Sequence, residues 1–269
     1  MKALQPDYAG SFTDADAYSA LDTSLWLPIS LGTLMMSRPR PGERVFDACC
    51  GSGASAVPTA MLVGPRGRVD GVDLSAPLLA LAHSRALELP QLHLSVGDVL
   101  DWPGRDYDLV QCVLGILFLP DLTRGAETLI AKAMPGGRIA FTIWRQGAIS
   151  PVGDALVEAL RPHRPEMTEY RRPLERPLIE TIGDADNFED WLRGLGLTSV
   201  SVGVHERRLE LTPRTAWAWA RGTAFRAMFG ELEGPVLEEV RASYLAGLAA
   251  RGAQDIDVTT LVGTGVRSG

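Results

Sequence analysis

Lysine, histidine and cysteine are the scarce residues of this 269-residue chain, which has two lysines (Lys2 and Lys132), four histidines and three cysteines. The cysteines, Cys49, Cys50 and Cys112, are odd in number, two are adjacent, and none stands at a metal-ligand spacing. That argues against a disulfide framework and against a zinc site, so buried free thiols and no bound metal are expected. Positive charge is in deficit: 26 Lys and Arg against 33 Asp and Glu leave a net charge of -7. A protein that neutralises many phosphates draws on clustered basic residues, so no nucleic-acid partner is expected. Long apolar runs are also missing. The longest, Leu109 to Leu119, is broken by Gln111 and falls far short of the roughly 18–20 residues that span a bilayer. The first residues show no charged-apolar-small signal pattern. A cytoplasmic protein without a membrane span is the expectation.

The composition that remains, 46% hydrophobic and 22% charged, suits one globular unit or one domain with an embellishment. From Glu43 onward, short β-rich runs alternate with helical stretches, the pattern of a mostly parallel sheet covered by helices. Strands are predicted at Val45–Cys49, Arg68–Asp73, Leu92–Val96, Tyr107–Leu114 and Arg138–Trp144, then at Leu197–Val204 and Ile256–Val266. Helices are predicted between them at Ala54–Val63, Pro77–Leu89 (capped by Ser75) and Leu122–Met134. Later helices are predicted at Ile149–Leu160, Phe188–Leu195, Thr215–Phe229 and Leu232–Ala250. The stretch Arg161–Pro177, with four prolines, five arginines and three glutamates, cannot sustain a helix or a central strand. Ala15–Met36 reads as one or two helices broken at Pro28.

One segment carries most of the chemical information. In Val45-Phe46-Asp47-Ala48-Cys49-Cys50-Gly51-Ser52-Gly53-Ala54 a strand runs into a glycine turn and then a helix. Gly51 and Gly53 permit close backbone approach, and the following helix presents its N–H groups and positive dipole end. A G-x-G alone fits an ordinary tight turn equally well. Asp73 ends the second strand 20 residues beyond Gly53, near the spacing at which an acidic group meets ribose hydroxyls in a βαβ unit. Asp98 follows the third strand and could accept from an adenine amino group, or serve only its own turn. The three sites sit at the carboxyl ends of successive strands, along the crevice where open α/β sheets bind ligands.

With these motifs the chain resembles the class I S-adenosylmethionine-dependent methyltransferases, in the small-molecule branch that includes the ubiquinone/menaquinone-biosynthesis type. Asp47 to Gly53 resembles the first motif of that family, Gly71-Val72-Asp73-Leu74-Ser75 the ribose motif and Gly97-Asp98-Val99 the adenine motif. Tyr107-Asp108-Leu109-Val110 with Phe118-Leu119-Pro120-Asp121 resembles the fourth, and Met134 to Arg138 the turn before the fifth strand. The resemblance implies an α/β, Rossmann-like, mostly parallel seven-stranded sheet with a helical lid, and S-adenosyl-L-methionine as cofactor. It implies that Asp47, Cys49, Gly51 and Gly53 hold the methionine end, Asp73 and Leu74 the ribose, and Asp98 with Val99 the adenine. Cys112 and Val113 would flank the transferable methyl, and Tyr18 would fold over the cofactor from the N-terminal segment. Cys49 stands where many members have glycine, which suggests negative φ at that position.

Two rivals stay open. Gly51-Ser52-Gly53-Ala54-Ser55-Ala56 also satisfies the dinucleotide fingerprint, but Asp47 would crowd a pyrophosphate, whereas it attracts an ammonium and a sulfonium. The same fold and cofactor could instead serve a cyclase or a binding protein. If a general base is used, His163 and His205 are the better candidates, because His83 lies mid-helix and His93 within a strand. Trp26, Phe118, Trp144, Trp217 and Phe225 would line an apolar acceptor chamber, with Tyr8 as a further lid residue. Arg161, Arg164, Arg171 and Arg172 could meet an acidic substrate, although nearby glutamates favour a solvated loop. Residues 1–39 would form the lid and 40–269 the catalytic domain, with substrate-side inserts at about 146–186 and 213–252. The partner expected is a small-molecule acceptor, with a homodimer left open.

Overall fold

The structure, a computed structural model, describes residues 12, 14–86, 88–165 and 177–269. Tyr8, Arg171 and Arg172 lie outside them. Five parallel strands come first: β1 (Arg44–Ala48), β2 (Arg68–Asp73), β3 (Leu92–Val96), β4 (Tyr107–Val113) and β5 (Ala133–Trp144). β6 (Leu197–His205) follows, then a small ribbon of β7 (Arg208–Glu210) with β8 (Asp255–Asp257), and finally β9 (Thr260–Arg267). The main sheet has seven strands in the order β3-β2-β1-β4-β5-β9-β6, with β9 antiparallel to both neighbours.

The apolar strands are buried on both faces because successive residues point to opposite sides. Val45 and Leu109 pack with Ala60 of α3 (Ala56–Val63) and Leu79 of α4 (Ala76–Arg85). Phe46 and Val110 face the other way, into a core shared with Leu129 of α5 (Leu122–Ile130) and Phe188. A third core joins the N-terminal Leu21, Leu25, Trp26 and Ile29 to Leu156, Trp219 and Tyr244 from the late helices. It also takes in Leu114, just past β4, and touches Trp144 at the end of β5, so it roofs the carboxyl ends of those strands.

The N-terminal helices are α1 (Ala15–Ser19) and α2 (Leu27–Ser37), joined through a π-helical turn at Asp22–Trp26. Pro28 starts α2 instead of breaking it, since a proline in the first turn gives up only an N–H that lacks an intrahelical partner. The α2 helix packs on the sheet, with the Thr33 and Thr142 hydroxyls 2.6 Å apart. The predicted helix over Thr215–Phe229 is split into Pro213–Gly222 and a 3-10 stretch, Ala224–Phe229. The reason is steric: a Cβ on Gly222 would stand 2.5 Å from the Tyr18 amide nitrogen, so the α1 backbone crosses there. Gly222→Ala is therefore expected to push α1 away at a cost of about 1–3 kcal/mol. A thermal melt would register this as a fall of a few degrees, with cleavage of the N-terminal segment by protease accelerated.

Other boundaries also moved. The strand predicted from Arg138 begins at Ala133, running through the Pro135-Gly136-Gly137 turn with a register shift against β4. The β-like end predicted over Ile256–Val266 is two strands, and a short helix at Pro177–Ile182 was not predicted. Among the described residues, no helix is long and apolar enough to cross a membrane.

Candidate cofactor and acceptor site

The turn after β1 holds three residues at positive φ: Cys49 (57°), Gly51 (52°) and Gly53 (81°). The expectation of negative φ at Cys49 is thus overturned, and a residue with a Cβ occupies the left-handed conformation that costs roughly 1–2 kcal/mol. Space for it comes from Gly115, where a Cβ would stand 2.4 Å from that of Cys49. All three cysteines are free. The Cys112 thiol, hydrogen-bonded beside it, and burial both push the Cys49 thiol up.

Asp73 organises this turn. One carboxylate oxygen accepts the Gly51 N–H and the other the Ser75 N–H, each at 2.8 Å. Burial pushes its carboxyl up from the ordinary range, opposed by those backbone donors. The Ser75 hydroxyl donates to the Phe12 carbonyl at 2.9 Å, tying the N-terminal segment to the same loop. Beneath the turn, Asp47 is fully buried, and its Oδ2 accepts from Ser55 Oγ at 2.6 Å and Gln111 Nε2 at 3.1 Å. Desolvation pushes this carboxyl up to about 7.

Above the turn opens a cavity of about 360 Å³. Its polar end is made by Cys49, Cys50, Gly51, Ser55 and Asp73. Its apolar end is made by Trp26, Phe118, Trp144, Trp219 and Phe225. Tyr18 roofs it, stacked on Trp26 at 4.7 Å, and its hydroxyl lies 2.9 Å from where a Cβ on Gly51 would be. Burial, then Asp73 and Asp22, drive the Tyr18 hydroxyl strongly upward, so it stays a neutral donor.

Several predicted site residues stand elsewhere. Trp217 lies outside the cavity, edge-on to Phe229 at 5.6 Å and under Arg241. Neither histidine proposed as a base lines the cavity. His163 faces Glu239 at 3.7 Å, and His205 is wedged against Gly32. Burial, then Arg207, lowers the His205 ring below its ordinary range. Asp98 is exposed, and its carboxylate accepts the Leu100 N–H at 2.8 Å, while Val99 is buried in the core. Leu74 is 55% exposed and Cys112 is buried, and neither lines the cavity, whereas Val113 does.

A cluster without a sequence signal ties the N-terminal segment to the turn. Arg85 of α4 donates to the Ser52 carbonyl and hydroxyl at 3.0 Å and pairs with Asp22, which also accepts from Ser52 Oγ at 3.1 Å. The partners lie 30 and 63 residues apart, so no local pattern announces them. Ser30 and the loop Arg145-Gln146-Gly147, also on the cavity wall, gave no sequence signal.

The residues present suit a cationic, adenosine-bearing group. Asp47 Oδ1 is buried without a hydrogen-bond donor, the neighbouring Asp73 adds a second carboxyl, and the turn between them exposes backbone at left-handed positions. A strand order with the last strand antiparallel, and a polar crevice at the strand carboxyl ends, define a nucleoside-cofactor-binding α/β enzyme. Residues 45–137 match the family described as "Methyltransferase domain". The chain is 30% identical over 226 residues to nocamycin O-methyltransferase of Saccharothrix syringae, covering 77% of this chain and 79% of that one. It is 35% identical over 163 residues to aklanonic acid methyltransferase DauC of Streptomyces sp. (strain C5), covering 56% and 74% respectively. Phosphoethanolamine N-methyltransferase 2 of Haemonchus contortus, solved with S-adenosyl-L-methionine, shares the fold at TM-score 0.53 and 16% identity, covering 89% of this chain and 52% of that one. The chain belongs to the class I S-adenosylmethionine-dependent methyltransferases of the small-molecule type, and S-adenosyl-L-methionine is its cofactor.

Proposed function

We propose that this methyltransferase acts on a small, largely apolar acceptor of the quinone or polyketide kind, by in-line displacement at the methyl carbon. The observation that carries the reading is the cavity itself, which joins a polar cofactor end bearing Asp73 to an aromatic acceptor end. The cofactor supplies an electrophilic methyl on a sulfonium. The backbone of Cys49 to Gly53, above Asp47, receives its methionine end. Asp73 accepts from the ribose hydroxyls with the lone pairs that Gly51 and Ser75 leave free. Asp98, just past β3, accepts from the adenine amino group.

Trp26, Phe118, Trp144 and Phe225 hold the flat acceptor and keep water from the reacting atoms. Orientation of this kind is worth up to roughly 7–11 kcal/mol. None of the four histidines lines the cavity, so positioning and desolvation carry more of the acceleration than proton abstraction by imidazole.

Incubation with methyl-labelled cofactor and a panel of hydroxyquinones and aromatic polyketides tests the assignment. Label is expected in the acceptor, with one S-adenosylhomocysteine formed per methyl. Product that forms without label and with the cofactor intact would instead establish the cyclase or binding role. Trp144→Ala is expected to raise KM for the acceptor about tenfold while leaving cofactor affinity within twofold. Equal losses of both would remove Trp144 from the acceptor end.

A further inference from the structure

Gln111, which interrupts the longest apolar run of the chain, is fully buried in the centre of β4, directly beside Asp47 of β1 in the parallel register. Its Nε2 donates to Asp47 Oδ2 at 3.1 Å and to Thr59 Oγ1 at 3.0 Å. Two acceptor atoms in this cluster, Asp47 Oδ1 and Gln111 Oε1, are buried with no donor. Among the described residues, no arginine, lysine or histidine pairs with Asp47. The titratable groups that face it are Asp73 from β2 and Cys50 from the turn, while the start of α3 presents only the neutral Ser55, just before the helix, and Thr59 within it, and β4 only Gln111. A carboxylate so enclosed has no counter-charge, and the usual resolution is to keep its proton.

We propose that Asp47 is a neutral carboxylic acid in the empty enzyme and releases its proton as the cationic cofactor enters, with Gln111 as the positioning residue that sets this exchange. The inference rests on the cofactor assignment above. Asp47 does not line the cavity; Cys50, Gly51 and Ser55 do, so the incoming positive charge acts through the turn instead of by contact. Ser55 links the two, because its hydroxyl bonds Asp47 and its residue lies on the cavity wall. One proton leaves Asp47 for solvent, and the carboxylate left behind balances the cation that has entered. The direction agrees with the carboxyl pushed up to about 7 by burial.

Titration calorimetry with S-adenosylmethionine at pH 6, in buffers of different ionisation enthalpy, counts the proton. About nine-tenths of a proton is expected to be released per cofactor bound to the wild type, and none by Asp47→Asn. The cofactor's own amino group, with a pKa of about 7.7–8, is already charged at pH 6. At pH 8 the cofactor's amino group is part-neutral and adds the same proton uptake to every variant, so the difference is the readout: Gln111→Leu, which removes a donor to the carboxylate, should release most of a proton more than the wild type. A filler of apolar space would leave the count unchanged. Infrared spectra of the wild type carrying carbon-13 aspartate give a measurement independent of variant folding: a protonated buried carboxyl band in the empty enzyme that vanishes on cofactor addition. Binding heat without proton release at pH 6, or no such band, overturns the proposal. Absence of any binding heat would instead overturn the cofactor assignment, and the band would still decide the state of Asp47.

Discussion

Replacing Asp73 by alanine is expected to lower affinity for S-adenosylmethionine about 100-fold, measured by titration calorimetry, which corresponds to about 2.8 kcal/mol at 1.4 kcal/mol per tenfold. Two losses combine. The ribose hydroxyls lose a charged acceptor, and hydrogen bonds to charged groups are worth about 1.5–3 kcal/mol. The Gly51 and Ser75 N–H groups also lose theirs, so the positive-φ turn that receives the methionine end loses its anchor to β2. Asp73→Asn keeps one acceptor oxygen and is expected to cost about tenfold. An affinity for Asp73→Ala within threefold of wild type would remove the ribose role. Asp98→Ala is expected to cost less than either, because Asp98 is exposed and its contact in the structure is with its own turn.

The stability of the empty enzyme falls as pH rises from about 4 to 8, and Asp47→Asn abolishes much of that fall. Unfolded, the Asp47 carboxyl titrates near its ordinary value of 3.8, whereas in the fold burial pushes it up to about 7. Between those values the folded state holds the proton and the unfolded state does not, so the stability linked to this group is fully present below pH 3.8 and is lost as pH rises through 7. At about 1.36 kcal/mol per pKa unit the loss reaches a few kcal/mol by pH 8. Denaturant unfolding of cofactor-free wild type and Asp47→Asn at pH 5 and pH 8 measures it, and the variant should be the more stable of the two at pH 8. Identical pH slopes would mean that Asp47 titrates normally. A cofactor cation that restores the ionised form should also recover much of the stability lost at pH 8.

The sheet and the cofactor motifs were legible because they are local. The short apolar runs of β1 and β4, the glycines after β1, and an acidic residue at the end of β2 each express themselves within a few neighbouring residues. The boundaries that moved did so where distant chain intervened. The long helix predicted over Thr215–Phe229 is broken because α1 crosses at Gly222, and β5 begins five residues early because β4 offers a partner strand at Tyr107. Cys49 shows the same limit. Its neighbours in sequence give no hint of a left-handed backbone, which the gap at Gly115, some 66 positions later, makes room for.

The acceptor side was legible by residue type but not by address. Trp26, Phe118, Trp144 and Phe225 meet at the cavity, while Trp217, one residue type among many in the same amphipathic stretch, turns to Phe229 and Tyr244. The histidines were chosen for chemistry, and packing decided against both: His205 fills a notch beside α2, and His163 lies near Glu239. By itself the sequence determined the α/β class, the cofactor and the strand ends that face it, because these depend on short-range periodicity and turn chemistry. Only the tertiary structure decided that Gln111 lies against a buried Asp47, that Asp22 pairs with Arg85, and which aromatic rings share a wall, because those contacts join residues 26 to more than 100 positions apart and no pattern along the chain encodes them.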